Sequence, residues 1–282
     1  MNCCMLYSNH IMEWANFTDG SRGMDTTKAI QDEALLYKHV FDMLSTNTQE
    51  YEDFISFIET RVIPHLPNHN DLLDIGAGRG NLTRPLSFYF KQSTIVEPNQ
   101  AFYDELMEWV RQTGADVTGY NGPWEDLNID VMADLVILSH VLYYVPLENH
   151  LAFVRKAYSH LRPGGCMILA LNGTQSDIWK LCKQLYSPEE FAKLPYAELL
   201  YENLLRWNFR VTYHPFHSTI ATKTEADTRL MIDFLTLGKV KFDNDDHVSI
   251  REAYLKSKLR KADGYSISSS GGIIVLTKPL EQ

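Results

Sequence analysis

The sequence predicts an α/β fold whose parallel sheet is covered by helices on both faces. Three observations carry this. Short apolar runs alternate with helix-periodic segments between Asp71 and Leu171. The runs are continuously apolar, as expected of strands buried on both sides. The first run ends in a glycine-rich turn, Gly76-Ala77-Gly78-Arg79-Gly80, that opens into a helical segment.

Taken in order, residues 1–25 show no periodicity and contain Gly20, Ser21 and Gly23, so they are expected to form an arm folding over a site. From Thr26 to Leu66 apolar residues recur at three and four. Ala34, Leu35, Val40, Phe41 and Leu44 mark one helix, and Phe54, Ile55, Ile58 and Val62 mark another. Pro64 and Pro67 close this region. Five strands follow, at Leu72–Ile75, Ser93–Val96, Asp116–Tyr120, Ala133–Leu138 and Gly165–Ala170, with helices at Gln100–Gln112 and Leu147–Leu161 between them. Residues 172–206 read as helical. Ser187-Pro188-Glu189-Glu190 supplies a cap residue, a first-turn proline and two acids. Phe209–Ile220 reads as a strand in which Pro215 marks a bend or an unpaired edge. Thr224–Leu237 reads as a helix and Gly271–Lys278 as a last strand. The expected division is a helical arm and cap at 1–66, a ligand-binding core at 67–171, a helical insertion at 172–206, and C-terminal strands at 207–282 that complete the sheet around an inserted helical segment.

Composition narrows the function. The 282 residues are 45% apolar, enough for a packed core. Acidic residues outnumber basic ones by 36 to 26, and the net charge of −10 opposes a polyanionic substrate, so no nucleic-acid partner is expected. The four cysteines lack metal-ligand spacing and read as reduced thiols of a cytoplasmic protein. The N-terminal residues lack the basic and apolar regions of a secretory signal. The most apolar stretch, Leu135–Val145, is too short to span a bilayer, so no membrane partner is expected. His214 and His217 face opposite ways on a strand and argue against a metal site. Asp243–Asp246 reads as a solvated loop lacking calcium-loop spacing. Oligomeric state is left open.

The chemistry lies around the glycine turn. Its spacing departs from the dinucleotide fingerprint, because Asn81 stands where a third glycine or alanine would be required. Asp74 precedes the first glycine, where a carboxylate repels a pyrophosphate but suits an ammonium. Glu97 ends the second strand, where an acid accepts both ribose hydroxyls. An ammonium together with a free ribose diol describes S-adenosylmethionine.

This pattern resembles the class I S-adenosylmethionine-dependent methyltransferases. The resemblance covers Asp71 to Leu171 and includes Ala133-Asp134-Leu135-Val136 and Leu161-Arg162-Pro163-Gly164-Gly165. It implies a Rossmann-like seven-stranded sheet ending in an antiparallel hairpin, with N-terminal helices and a helical substrate cap. It also implies cofactor contacts at Asp74, Gly76, Gly78, Gly80, Glu97 and Pro98. Further contacts are implied at Trp124 and Glu125, beside adenine, and at Ser139. Pro123 stands where the family often has an acid, leaving adenine to backbone groups or to Trp124.

A narrower resemblance is to the histamine N-methyltransferase family. It rests on Leu138–Val145, Val96-Glu97-Pro98, the Trp179 region, Asp233-Phe234-Leu235 and the spacing from Tyr37 through Phe41 to Glu50. It implies a small-molecule substrate, most naturally an amine or imidazole nitrogen, contacted by Tyr37, Phe41, Glu50, His140, Tyr144, Trp179 and Ser269. His140 and Glu50 are the catalytic candidates. His140 is a general base or a substrate contact. Glu50 either anchors a cationic nitrogen or accepts its proton. Competing readings are an O-methyltransferase acting on a phenol or carboxylate, and a cofactor-binding protein of this fold that does not methylate.

Overall fold

The computed structural model describes residues 26–236 and 245–280, with side chains from residue 36 onward. The expected arm at residues 1–25 lies outside the described residues, as do Asp243 and Asn244.

The described residues begin with α1 (Thr26–Thr46) and α2 (Glu50–Phe57), the latter running on through a π turn, Ile58–Val62, to Pro64. Then come β1 (Asp71–Ile75), the short α3 (Thr83–Leu86), β2 (Gln92–Glu97), α4 (Gln100–Thr113), β3 (Val117–Asn121) and β4 (Ala133–Ser139). Next are α5 (His150–Ser159), β5 (Leu161–Asn172), α6 (Asp177–Leu185), α7 (Pro188–Phe191) and α8 (Ala197–Arg206). The chain closes with β6 (Val211–Thr222), α9 (Glu225–Leu235), α10 (Asp245–Tyr254), β7 (Arg260–Lys261) and β8 (Gly264–Thr277).

The strand order is β3-β2-β1-β4-β5-β8-β6, with β7 paired to β8. β1 to β5 pair in parallel and β8 runs antiparallel to β5, as the antiparallel ending requires. β6 is outermost, the edge position to which proline is largely confined within sheets, and it holds Pro215.

Two compact units divide the described chain. One contains residues 50–173, 195–216 and 271–280 and holds the parallel strands. Its core includes Phe54, Ile58, Leu72, Leu135, Ile137, Ile168 and Val275, all buried. The other contains residues 26–49, 174–194, 217–236 and 245–270. Within it Asp177 accepts hydrogen bonds from Tyr254 Oη (2.9 Å) and the Ser268 N–H (2.7 Å), and Thr48 bridges to Ile220. β6 and β8 each contribute residues to both units.

Several boundaries differ from the sequence reading for physical reasons. β8 starts at Gly264, well before Gly271. Its polar run Ser266–Ser270 looks like a loop, yet Ile267 and Ser269 are buried while their neighbours are half-buried, which is strand alternation. β5 includes Leu161–Gly165, because Ala133 pairs with Leu161 before a register shift that sets Leu135 opposite Cys166. Asp245 and Asp246 are not loop residues; they open α10, where acids complement the helix dipole. The Ser187 signal forms a full capping box with Glu190.

Candidate active site

The chain order reverses direction across the sheet between β1 and β4, and ligands of open α/β sheets bind outside the carboxyl ends of strands at such a point. The turns leaving β1 and β4 meet there. Gly76, Gly78 and Gly80 all have positive φ (75°, 56° and 81°), which glycine adopts without a Cβ penalty. A Cβ on Gly76 would come within 2.4 Å of Val141 Cγ2, so this glycine also lets the two turns touch.

Two carboxylates lie beneath the glycine turn. Asp74 is 2% exposed, and Thr83 Oγ1 donates to its Oδ2 at 2.6 Å. Burial raises its pKa to about 6, against the opposing Thr83 bond. Glu97 is also 2% exposed. Its Oε2 accepts the Gly78 N–H and its Oε1 the Asn99 N–H, each at 2.7 Å. Burial pushes its pKa to about 7 despite those two bonds. Each oxygen of an ionised carboxylate has two acceptor positions, so one per oxygen is left for a diol. Ser139 Oγ, at the end of β4, is buried with no hydrogen-bond partner. A cradle of glycines, a two-oxygen acceptor, a buried acid and an orphaned hydroxyl together fit the ribose and amino-acid portions of S-adenosylmethionine. Pro98 follows Glu97 and is half-buried.

The adenine side differs from expectation in one respect. The Trp124 ring is not available to stack on adenine. It is 2% exposed, lies under Lys156 Nζ at 4.7 Å from its centroid, and meets His160 edge-on. Glu125 is exposed. Lys156 of α5 donates to the carbonyls of Trp124, Glu125 and Leu127 and so fixes this segment's path.

The structure joins the two catalytic candidates. Glu50 opens α2, where the helix dipole favours an anion, and is 8% exposed. Its Oε1 lies 2.5 Å from His140 Nε2. His140 keeps its N–H on the Ala170 carbonyl (2.9 Å) and then turns the chain with φ 58°. That left-handed conformation sets its ring between Phe54 and Tyr143, with interplanar angles of 10° and 22°. Tyr143, not Tyr144, is the tyrosine at His140: its hydroxyl is 3.4 Å from His140 Nδ1 and accepts the Asn172 N–H at 2.5 Å. Tyr144 is half-buried beside it. Burial holds the Tyr143 phenol well above its ordinary pKa. His150 Nε2 anchors this turn through the Leu142 and Val145 carbonyls (3.1 and 3.0 Å). Phe54, Tyr143, Thr83 and His150 escaped the sequence reading. An apolar run hides Tyr143 and Phe54, and only pairing in space gives Thr83 and His150 their roles.

The other residues implied as substrate contacts belong to the second unit. Tyr37 and Phe41 pack on Phe234, with ring centroids 5.3 and 6.4 Å away. Trp179 is buried and meets Phe191 edge-on, and Ser269 is buried on β8. His214 contacts Thr212, and His217 contacts Ser270. Among the described residues no group of three or more metal-ligating side chains converges, and no helix is long and apolar enough to cross a membrane.

Fold and site together define the class of S-adenosylmethionine-dependent methyltransferases. A family profile described as a methyltransferase domain matches residues 43–220, and the chain belongs to that family. The family and the glycine turn, Glu97, Asp74 and Ser139 of this chain fit S-adenosylmethionine as the cofactor. A ubiquinone biosynthesis O-methyltransferase of Rickettsia felis is 26% identical over 100 residues, which cover 36% of this chain and 40% of that protein. A carboxy-S-adenosyl-L-methionine synthase of Vibrio vulnificus is 27% identical over 135 residues, covering 46% of this chain and 55% of that one. The matches thus span about half or less of these relatives' own length. Among solved structures, the plantazolicin methyltransferase BamL, in complex with a triazolic desmethylPZN analog and SAH, aligns with a TM-score of 0.53 and 11% identity over 98% of this chain and 97% of that chain. A methyltransferase-type protein of Bacillus halodurans aligns with a TM-score of 0.54 and 18% identity over 80% and 98%. At these identities the structural likeness speaks to the fold.

Proposed function

We propose that this chain transfers the methyl group of S-adenosylmethionine to a small molecule whose nucleophile gives up a proton to the Glu50–His140 pair. The observation that carries this is the 2.5 Å contact between Glu50 and His140 at the carboxyl end of β4, beside the cofactor turn. The bound cofactor supplies an already activated methyl group, so the protein's task is alignment and proton removal. Glu97 and the glycine turn hold the ribose, and Asp74 favours the cationic methionine end.

A nitrogen nucleophile of an amine or imidazole leads among substrate classes. Carboxylates at Glu50 and Glu198 both bear on Tyr143, and a negative, aromatic surround attracts a cation. Because Glu50 is engaged with His140, it acts through that ring and shares its charge with any substrate ammonium. The second reading is a hydroxyl nucleophile, which the ubiquinone-pathway O-methyltransferase relatives favour. A substrate role for Tyr37, Phe41, Trp179 and Ser269 rests on the resemblance alone. A cytoplasmic setting rests on the reading of the cysteines as reduced thiols, of which Cys166 and Cys182 are buried.

The test is release of S-adenosylhomocysteine across amines, imidazoles, phenols and carboxylates, with and without His140→Gln. Turnover of amines or imidazoles that falls at least tenfold in the variant supports the leading reading. Turnover of phenols alone moves the assignment to oxygen. Equal rates in the variant remove His140 as the base, and tight cofactor binding with no product on any class argues against methyl transfer to such molecules.

A further inference from the structure

We infer that Thr83 is a positioning residue for the cofactor: its hydroxyl holds Asp74 in the orientation that meets the ammonium of the methionine end. This deepens the role given to Asp74 above and rests on it. The sheet itself offers the Asp74 side chain no polar partner. In register Asp74 stands between Ile95 of β2 and Ile137 of β4, both fully buried. The donor comes instead from beyond the glycine turn. Thr83 is the first residue of α3 and has no exposed surface, and its Oγ1 donates to Asp74 Oδ2 at 2.6 Å. Among the described residues this is the one hydrogen bond on the Asp74 carboxylate.

A carboxylate that rotates freely gives up that freedom when it binds a ligand. The Thr83 bond removes the choice beforehand. It occupies Oδ2, fixes the plane of the group and leaves Oδ1 as the oxygen for a ligand. Threonine suits this task, because its branched Cβ restricts χ1. The same bond opposes the rise in pKa that burial imposes on Asp74, and so favours the anion that an ammonium requires. The ribose acceptor is held separately: Glu97 takes the N–H groups of Gly78 and Asn99. Thr83 therefore bears on one end of the cofactor. A residue that merely braced the turn between β1 and α3 would bear on both ends alike.

That difference sets the test, which reads binding and needs no methyl acceptor. Calorimetry on the full chain at pH 8 compares S-adenosylhomocysteine with 5′-methylthioadenosine, which keeps adenine, ribose and sulfur but lacks the ammonium and carboxylate. In Thr83→Val, which keeps the shape but not the hydroxyl, affinity for S-adenosylhomocysteine should fall about tenfold, as the loss of a hydrogen bond to a charged group implies. Affinity for 5′-methylthioadenosine should stay within about twofold, and Thr83→Ser should restore most of the loss. In an Asp74→Asn background, Thr83→Val should change the ratio of the two affinities no further, because it acts through that carboxylate. Equal losses for both ligands, no loss for either, or a Thr83→Ser protein as weak as Thr83→Val overturns the inference. If Thr83→Val does not fold, Thr83→Cys, whose thiol is a weak donor, must show the same split between the ligands. Failure of the Asp74 reading is a different result: Asp74→Asn alone would leave the ratio of the two affinities at its wild-type value.

Discussion

Asp74 and Glu97 are placed where water is scarce, and that placement has a thermodynamic signature. A carboxyl group whose pKa rises on folding binds more protons in the folded state. Its stabilising proton uptake is complete below the unfolded value and is lost as pH rises through the folded one. For Asp74 that window runs from 3.8 to about 6, and a shift of that size corresponds to about 3 kcal/mol. Asp74→Asn keeps an acceptor for Thr83 without the charge. Urea unfolding of the cofactor-free variant at pH 8 should therefore show a gain of up to about 3 kcal/mol over the wild type, shrinking toward zero near pH 3.5. Equal differences at both pH values would contradict this account of Asp74. The same variant should bind S-adenosylmethionine more weakly, since a site tuned to a cation is electrostatically costly when empty. The places of Asp74, the glycines and Glu97 on a strand, a turn and a second strand tip were legible in the sequence, because these follow one another within a short span. Tyr143 was not, since two adjacent tyrosines look alike until the turn after His140 sets their directions.

Among the elements, the contact between α5 and the segment after β3 deserves a direct test. One ammonium, Lys156 Nζ, collects three carbonyls and lies over the Trp124 ring. Lys156→Met keeps much of the apolar stem but leaves those carbonyls to water. Backbone amide exchange across residues 124–127 should speed up by at least tenfold, and S-adenosylhomocysteine affinity should fall several-fold, because this segment flanks adenine in the related fold. Unaltered exchange would mean that the loop holds itself. Periodicity found nearly every element here, since helices such as α4 carry both a clear apolar face and cap residues, Asn99 and Gly114. It failed where polarity misled it: Ser266–Ser270 hid the first half of β8, and Asp245-Asp246 hid the start of α10. In both places a partner element, unseen in one dimension, decides the conformation.

For the whole molecule, the net charge of −10 and the buried acids of the site act on a cofactor that carries a sulfonium and an ammonium. Long-range attraction of this kind is screened beyond about 8–10 Å at ordinary ionic strength. Stopped-flow association of S-adenosylmethionine should slow as salt rises from 20 to 300 mM, and more steeply than that of S-adenosylhomocysteine, which lacks the sulfonium charge. Parallel salt slopes for the two would exclude steering. The fold class was legible because alternating buried strands and helices admit few topologies. The meeting of the β1 and β4 turns was not, because Val141 lies 65 positions after Gly76. That contact has a genetic consequence. Gly76→Ala should be a loss-of-function allele, since its methyl group displaces Val141 and the adjoining His140. Val141→Ala should act as a partial suppressor of it, relieving the crowding but not the left-handed backbone. Positions 76 and 141 would then be epistatic: each constrains which alleles the other can carry.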